Sequence, residues 1–299
     1  MKVALLVSSN MVPGADDARE DIHEYHEEMG ALTPALQAHG MSLEPLLWDT
    51  ADRHADDYAA MLPLMVWDYF EGNEARFLDV MARVSARTAL FNPVETLRWN
   101  SDKSYLEELA ERGAPTIPTM RVDRVTQADA QAAFELFGTD RIVIKPQVGG
   151  GAWRQALHAG GEPWPDADKL PPAEALIQPF LPSVQSEGEY TFLYFGGRFS
   201  HACVKNAVPG DYRIQSIYGG TETTYRPSAD ELSVAQAVID TLDEVPLYAR
   251  VDLLRGLDGK LALIEIEMIE PYLYLSHAEV RDGLNQGAVM FAEALRARL

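Results

Sequence analysis

The sequence predicts an α/β protein that opens on a parallel sheet and closes on antiparallel β lobes. Two observations carry this. Over the first third, short apolar runs alternate with stretches of helical length, the pattern of strands joined by covering helices. Further on, apolar runs come in pairs separated by Gly-Gly or Asp-Gly, the pattern of hairpins. The 299 residues are 47% apolar and 24% charged, enough apolar surface for a core. That length fits two domains or one elaborated into lobes. Changes in the strand and helix pattern divide the chain into 1–95, 96–180 and 181–299.

The elements follow in order. Residues 3–7 read as a short buried strand ending at Ser8-Ser9-Asn10. A helix is predicted over 20–39, stopped by Gly40. Strands are predicted over 43–48, 62–67 and 89–91, with a helix over 74–86, and Asn92-Pro93 breaks the chain. Ser101 is placed to cap a helix reaching Arg112, with Gly113 as its stop. Residues 116–122 read as extended, 127–137 as helix ending at Gly138, and 142–145 as a strand running into Gly149, Gly150 and Gly151. Residues 160–172, rich in Gly, Pro and Asp, read as a surface loop. Strands over 190–195 and 198–204 flank Gly196-Gly197, a helix covers 230–242, strands over 248–253 and 260–266 form a second hairpin, and a helix over 285–298 closes the chain.

Charge and cysteine content narrow the function. With 25 basic and 46 acidic residues the net charge is −21. Such a surface repels nucleic acid and anionic membranes, and its plain use is solubility. An anionic ligand must then be met by locally placed cations or a metal. Cys203 is the only cysteine, so intramolecular disulfides and Cys-rich metal sites are excluded. No apolar stretch approaches the ~20 residues that span a bilayer, and the run at 3–7 is too short for a signal-peptide core. These features point to a cytoplasmic enzyme.

Acidic residues concentrate in the second hairpin. If Asp258-Gly259 forms a two-residue turn, Asp252 and Glu265 face each other across the strands, with Cβ atoms roughly 5 Å apart. Glu267 shares the face of Glu265. Three acids on one patch of an otherwise apolar segment repel one another, and a hard cation held by oxygen ligands, Mg²⁺ or Mn²⁺, would explain them. A solvated acidic face is the other reading.

Lys145 ends an apolar run just before the three glycines, the reverse of the P-loop order. A glycine flap whose N–H groups meet phosphate oxygens fits better, although a Gly-rich loop alone is commonly just a loop. Lys103, near a helix start, reads alone as a surface lysine. Lys205 at a strand end and Arg213 in Gly210-Asp211-Tyr212-Arg213 are candidate anion clamps.

Taken in order, Lys103, the Ile142-Val143-Ile144-Lys145-Pro146 run, the triple glycine, Leu176-Ile177-Gln178-Pro179-Phe180-Leu181, Gly188-Glu189-Tyr190-Thr191-Phe192, Arg213, Val251-Asp252-Leu253 and Ile264-Glu265-Ile266-Glu267 resemble the ATP-grasp ligase superfamily. The resemblance covers roughly residues 95–275. It implies the ATP-grasp fold preceded by a parallel-sheet domain. It implies that Lys103 and Lys145 hold the phosphates of ATP, with Gly149, Gly150 and Gly151 as the flap. Gln178, Pro179, Phe180 and Leu181 would form the hinge strand that reads adenine, and Glu189 would hold the ribose. Asp252, Glu265 and Glu267 would bind two Mg²⁺ ions, and Arg213 would contact the transferred phosphoryl group or acyl phosphate. Many members have Asn where this chain has Glu267. The Glu-Ile-Glu-Met-Ile-Glu-Pro run from Glu265 to Pro271 is similar to a small group of cyclo-ligases that close O-ureido-D-serine to D-cycloserine.

The expected activity is an ATP- and Mg²⁺-dependent carbon–nitrogen ligation through an acyl phosphate, with an amino-acid-like substrate. A nitrogen within the same molecule attacks in the cyclo-ligase case. A separate amine attacks in a glutathione-synthetase-like or glutamate-adding case. Lys205 and Glu270 join Arg213 as candidate catalytic groups, Glu270 as a carboxylate placed to orient the amine or simply as a strand-end acid. A homo-oligomer is compatible with the sequence. His23 and His26 are three apart, not the four a zinc-protease helix needs, so residues 23–27 read as a solvated helix face or a substrate-binding edge. Ser8, Ser9 and Asn10 at the first strand's end share the second reading. Trp153 reads as a packed Trp or a shield for the flap.

Overall fold

The computed structural model describes residues 1–215 and 218–299. Strands β1 (Lys2–Val7), β2 (Ser42–Leu47), β3 (Ala60–Met65) and β4 (Ala89–Leu90) form a parallel sheet in the order β2-β1-β3-β4. Burial on both faces explains why β1 reads as an unbroken apolar run. Val3, Leu5 and Val7 meet helix α1 (His23–Ala38) and the closing helix α8 (Gln286–Arg296). Ala4 and Leu6 meet helix α2 (Glu74–Ser85) on the other side.

The first third departs from the sequence reading in three places. Helix α1 begins at His23 rather than residue 20, and no side chain caps it. A 3-10 segment, Trp48–Asp57, occupies what had no assignment. Pro93 starts a helix instead of only breaking the chain. Its fixed φ suits the position before α3 (Val94–Asn100). Ser101 therefore ends α3 and does not cap the next helix, α4 (Tyr105–Glu111). Its hydroxyl instead donates to Glu74 at 2.7 Å.

Strands β5 (Met120–Val122), β6 (Arg141–Pro146), β7 (Ala156–Ala159) and β8 (Ala175–Pro179) form an antiparallel sheet in the order β5-β8-β6-β7. Helix α5 (Gln127–Phe137) covers one face of it. Thr126 and Asp129 close a reciprocal cap at its start, and Gly138 turns left-handed at its end. After the short helix α6 (Ser183–Ser186), the largest sheet follows: β9 (Glu189–Phe195), β10 (Arg198–Asn206), β11 (Thr221–Tyr225), β12 (Tyr248–Arg255) and β13 (Leu261–Glu267), in the order β11-β10-β9-β12-β13. Helix α7 (Ala229–Ile239), capped by Ser228 and Glu231, lies on one face. The small hairpin β14 (Val280–Arg281) and β15 (Leu284–Asn285) leads into α8. No helix among the described residues is long and apolar enough to cross a membrane.

Two buried asparagines join the first sheet's exit to the largest sheet. Asn92 Nδ2 donates to Tyr248 O (3.0 Å) and Met268 O (2.8 Å), and its Oδ1 accepts Leu247 N–H (2.8 Å). Asn100 brackets Ile266 O and Met268 N–H at 2.8 and 2.7 Å. Truncating Asn92 strands three buried backbone groups. Asn92→Ala is expected to cost about 3 kcal/mol or more, read as a lower urea midpoint.

His201 ties β10 to the segment before the small hairpin. Its Nε2 meets Leu273 O at 2.9 Å, so that nitrogen carries the proton, and Nδ1 faces the Ser200 hydroxyl at 2.9 Å. Burial pulls the imidazole down to about 4 against its hydrogen bonds to the backbone of Leu273 and Tyr274. A depressed histidine pKa leaves stability intact at neutral pH. That stability is lost as pH falls from about 6.5, where the unfolded chain begins to protonate, toward about 4. His201→Gln should lose about 3 kcal/mol less than wild type across that window in pH-dependent denaturation.

Candidate active site

A cavity of about 450 Å³ opens between the two antiparallel sheets and the loops of the first. Strand periodicity builds it. On β6, Ile142 and Ile144 point into the α5 core, so Val143 and Lys145 face the cavity. On the largest sheet, Tyr190, Phe192, Val251, Leu253 and Ile266 pack under α7 and α4. The opposite face then carries Glu189 and Thr191, Lys205, Arg250 and Asp252, and Glu265 and Glu267.

The second hairpin reaches this face by an unexpected route. Gly259 N–H donates to Gly256 O (3.0 Å) and Gly256 N–H to Lys260 O (2.8 Å), so the turn spans residues 256–259. Asp258-Gly259 are its last two residues, not a two-residue turn, and Gly259 has φ +79°. Leu253 consequently pairs with Leu263, one step out of the expected register. A bulge at Ile264 restores it, and Asp252 pairs with Glu265 as predicted.

Side-chain cations separate the acids on this face. Lys205 Nζ lies 2.6 Å from Glu189 Oε1 and 3.2 Å from Asp252 Oδ1. Asp252 also accepts the Thr191 hydroxyl at 2.7 Å and Arg250 at 2.9 Å. Arg250 reaches Glu267 as well, and Lys103 Nζ lies 3.0 Å from Glu265. Burial pushes the Asp252 carboxyl up, but Arg250 and Lys205 outweigh it and hold it below the usual range. Glu267 is raised, because burial and the neighbouring carboxylates outweigh Arg250. Glu270 lies well above the usual range through burial and Glu267. Burial, with Lys103 beside it, pulls Lys145 down to about 8.

Cations space the three acids expected on this face. Asp252, Glu265 and Glu267 share a face, yet among the described residues no three His, Cys, Asp or Glu side chains gather closely enough to hold a metal ion. Arg250 stands between Asp252 and Glu267, and Lys103 draws Glu265 toward the flap. The donor set, three carboxylates whose charge is balanced by cations, suits a hard divalent ion once those cations turn away.

The flap is held from two sides. The turn between α3 and α4 puts Lys103 N–H on Gln147 O at 3.0 Å, and Lys103 Nζ donates to Gly149 O. A Cβ at Gly150 would lie 3.0 Å from the Phe70 ring, so the flap seats closely against the loop after β3. Trp153 is 46% exposed and borders the cavity, so it is not a packed core residue. At the apolar end, Phe180 and Leu181 follow β8 and pack with Ile117, Ile214 and Leu254. Gln178 donates to Thr119 at 2.9 Å, and Arg141 lies 4.0 Å from the Phe180 ring centre. Arg213 is forked onto Asp211 (2.7 Å) and stacked on Tyr218 (4.0 Å).

Every candidate site residue therefore borders one cavity, from Lys103 through Gln178, Pro179 and Glu189 to Arg213 and Glu270. Sequence reasoning missed Arg250, which its place two residues before Asp252 signalled, and the wall formed by Arg19, Asp21, Trp67 and Tyr272. Glu24 turns inward to that wall, whereas His23 and His26 are exposed. Ser8 and Asn10 bond to each other at 2.6 Å and do not border the cavity.

Comparison with known proteins agrees with this architecture. Residues 3–92 match the family model described as the N-terminal domain of the D-cycloserine synthetase DcsG. The cycloserine biosynthesis protein DcsG of Streptomyces lavendulae is 31% identical over 293 aligned positions, covering 91% of this chain and 94% of the relative. The chain belongs to the DcsG family. Members of this family share a fold, and the crystal structure of D-cycloserine synthetase DcsG superposes with a TM-score of 0.80 at 26% identity, over 100% of this chain and 99% of that one. A D-alanine–D-alanine ligase from Bacillus anthracis complexed with ATP superposes at 0.65 and 15% identity, over 100% and 98%. The ATP-grasp ligase PsnB, complexed with a phosphomimetic variant of its minimal precursor, Mg and ADP, superposes at 0.60 and 14%, over 99% and 98%. The chain is an ATP-grasp ligase.

The close seat of the flap gives a test. Gly150→Ala should raise the KM for ATP about tenfold, the equivalent of a modest overpacking cost. Adding Phe70→Ala should recover most of that loss in steady-state kinetics, because the second change removes the clashing ring.

Proposed function

We propose that this ligase closes O-ureido-D-serine to D-cycloserine, with ATP as the activating substrate. The observation that carries the reading is the row of Lys103, Lys145, Lys205 and Arg250, buried beside four acids in a chain of net charge −21. Cations are gathered there against the charge of the whole molecule, as a triphosphate requires. Relationship to a cycloserine biosynthesis protein supplies the substrate.

The substrate carboxylate oxygen attacks the γ-phosphorus, and ADP leaves. Lys103 and Lys145 neutralise the equatorial oxygens of the phosphoryl group in flight. The ureido nitrogen attached to oxygen then attacks the acyl carbon, and inorganic phosphate leaves with the ring closed. Water adds to the ring-bound carbamoyl carbon, releasing CO₂ and ammonia, and the ring nitrogen takes a proton. Holding nucleophile and acyl carbon in one folded substrate supplies much of the rate. The seated flap excludes water from the acyl phosphate. Asp252, Glu265 and Glu267 would hold Mg²⁺, which would supply charge neutralisation at the triphosphate. Pro179, Phe180 and Leu181 would frame adenine, Glu189 the ribose, and Arg213 the acyl phosphate after release from Asp211. Dependence on ATP favours a cytoplasmic reaction.

Incubation with O-ureido-D-serine, ATP and Mg²⁺ should yield ADP, phosphate and cycloserine in equal amounts. AMP and pyrophosphate as products, or phosphate release only when a separate amine is added, would overturn the assignment. Glu265→Gln should lower kcat at least about 100-fold, and nucleotide should raise the melting temperature strongly only with divalent metal present.

A further inference from the structure

The wall contributed by the loops of the first sheet borders the same cavity as the cationic row. Arg19 Nε and Nη2 donate to Asp21 Oδ1 and Oδ2, both at 2.8 Å. The guanidinium lies 5.2 Å from the centre of the Trp67 ring. Trp67 is itself fixed, because its indole N–H donates to Glu270 O at 2.9 Å. Asp21 is buried, and Arg19 keeps a quarter of its side chain open to the cavity. Two contacts thus lock the fork before any ligand arrives, and Nη1 donates to no described residue.

The charge of this wall selects what it can hold. Asp21 cancels Arg19, and Glu24 and Glu71 border the same cavity. Asp21 already answers the one guanidinium and Glu71 adds to the negative field, so a second substrate carboxylate is repelled here. A neutral planar group with a carbonyl oxygen and an adjacent NH₂ meets both halves of the pair. The oxygen accepts from the guanidinium, and the NH₂ donates to the remaining lone pairs of Asp21.

Resting on the function proposed above, we infer that the Arg19–Asp21 pair, walled by Trp67, reads the terminal carbamoyl of the substrate's ureido group. It thereby sets specificity for ureido amino acids over those with a bare aminooxy or a carboxylate tail. Arg19 and Asp21 contact the end of the substrate farthest from the reacting carboxylate. A site built around these hydrogen bonds penalises a substrate that lacks them, since the polar pair is then left unmatched.

The test uses the full chain with ATP and Mg²⁺. It measures kcat/KM for O-ureido-D-serine, for the same acid with a bare aminooxy group, and for an analogue with a carboxylate tail. Wild type should favour the ureido acid and reject the carboxylate tail. Arg19→Gln should lower the ureido-to-aminooxy ratio roughly 30-fold, chiefly through the KM for the ureido acid, with the KM for ATP changed less than about twofold. Arg19→Lys keeps a charge for Asp21 but loses the fork, so it should lower the same ratio if Arg19→Gln does not fold. Wild type that turns over the ureido acid, with a ratio unmoved by either variant or with equal use of the carboxylate tail, overturns this inference alone. Wild type that releases no phosphate with any of the three acids overturns the proposed function and this inference together.

Discussion

The site depends on the interleaving of charge along one face of the largest sheet. Glu189, Asp252, Glu265 and Glu267 occupy neighbouring positions where like charges, partly shielded from water, repel strongly. Lys205 on β10 and Arg250 on β12, either side of β9, with Lys103 reaching from the α3–α4 turn, stand between them. Without those three cations the acids could not share the face. With them, the face carries both signs of charge within hydrogen-bonding reach of one another. A buried pair of this kind adds little net stability against apolar packing of the same volume. Packing energy alone therefore gives no account of why these charges lie in an otherwise apolar sheet.

Much of this was legible in the sequence. Period-two alternation placed Asp252, Glu265 and Glu267 on one face, and apolar runs ending in Lys145 and Lys205 put both amines at strand ends. The Asp252–Glu265 register came out right although its stated reason was wrong. A longer turn displaced the pairing by one, and the bulge at Ile264 displaced it back. Local sequence carries turn chemistry but no marker for a bulge several residues away, so such compensation is invisible before the strands are seen.

What stayed illegible depends on contacts between distant segments. Arg19 and Asp21 lie at the start of the helix predicted over 20–39, and nothing local announces Trp67, held by Glu270 O, against which Arg19 stacks. Arg250 stands beside Asp252 in the chain, but its role as a spacer shows only across to Glu267 on the neighbouring strand. Asn92 reads locally as a chain breaker, whereas its amide serves backbone groups more than 150 residues away. In each case the side chain's chemistry was plain and its partner was not.

The shared core of β1, α1 and α8 has a consequence for biosynthesis. Val3, Leu5 and Val7 leave the ribosome well before Phe291 and Leu295, which cover them. The nascent opening sheet must hold part of its apolar face uncovered while the ligand-binding lobes are still being made. Chaperone engagement should concentrate on that early segment, and its release should coincide with arrival of the closing helix.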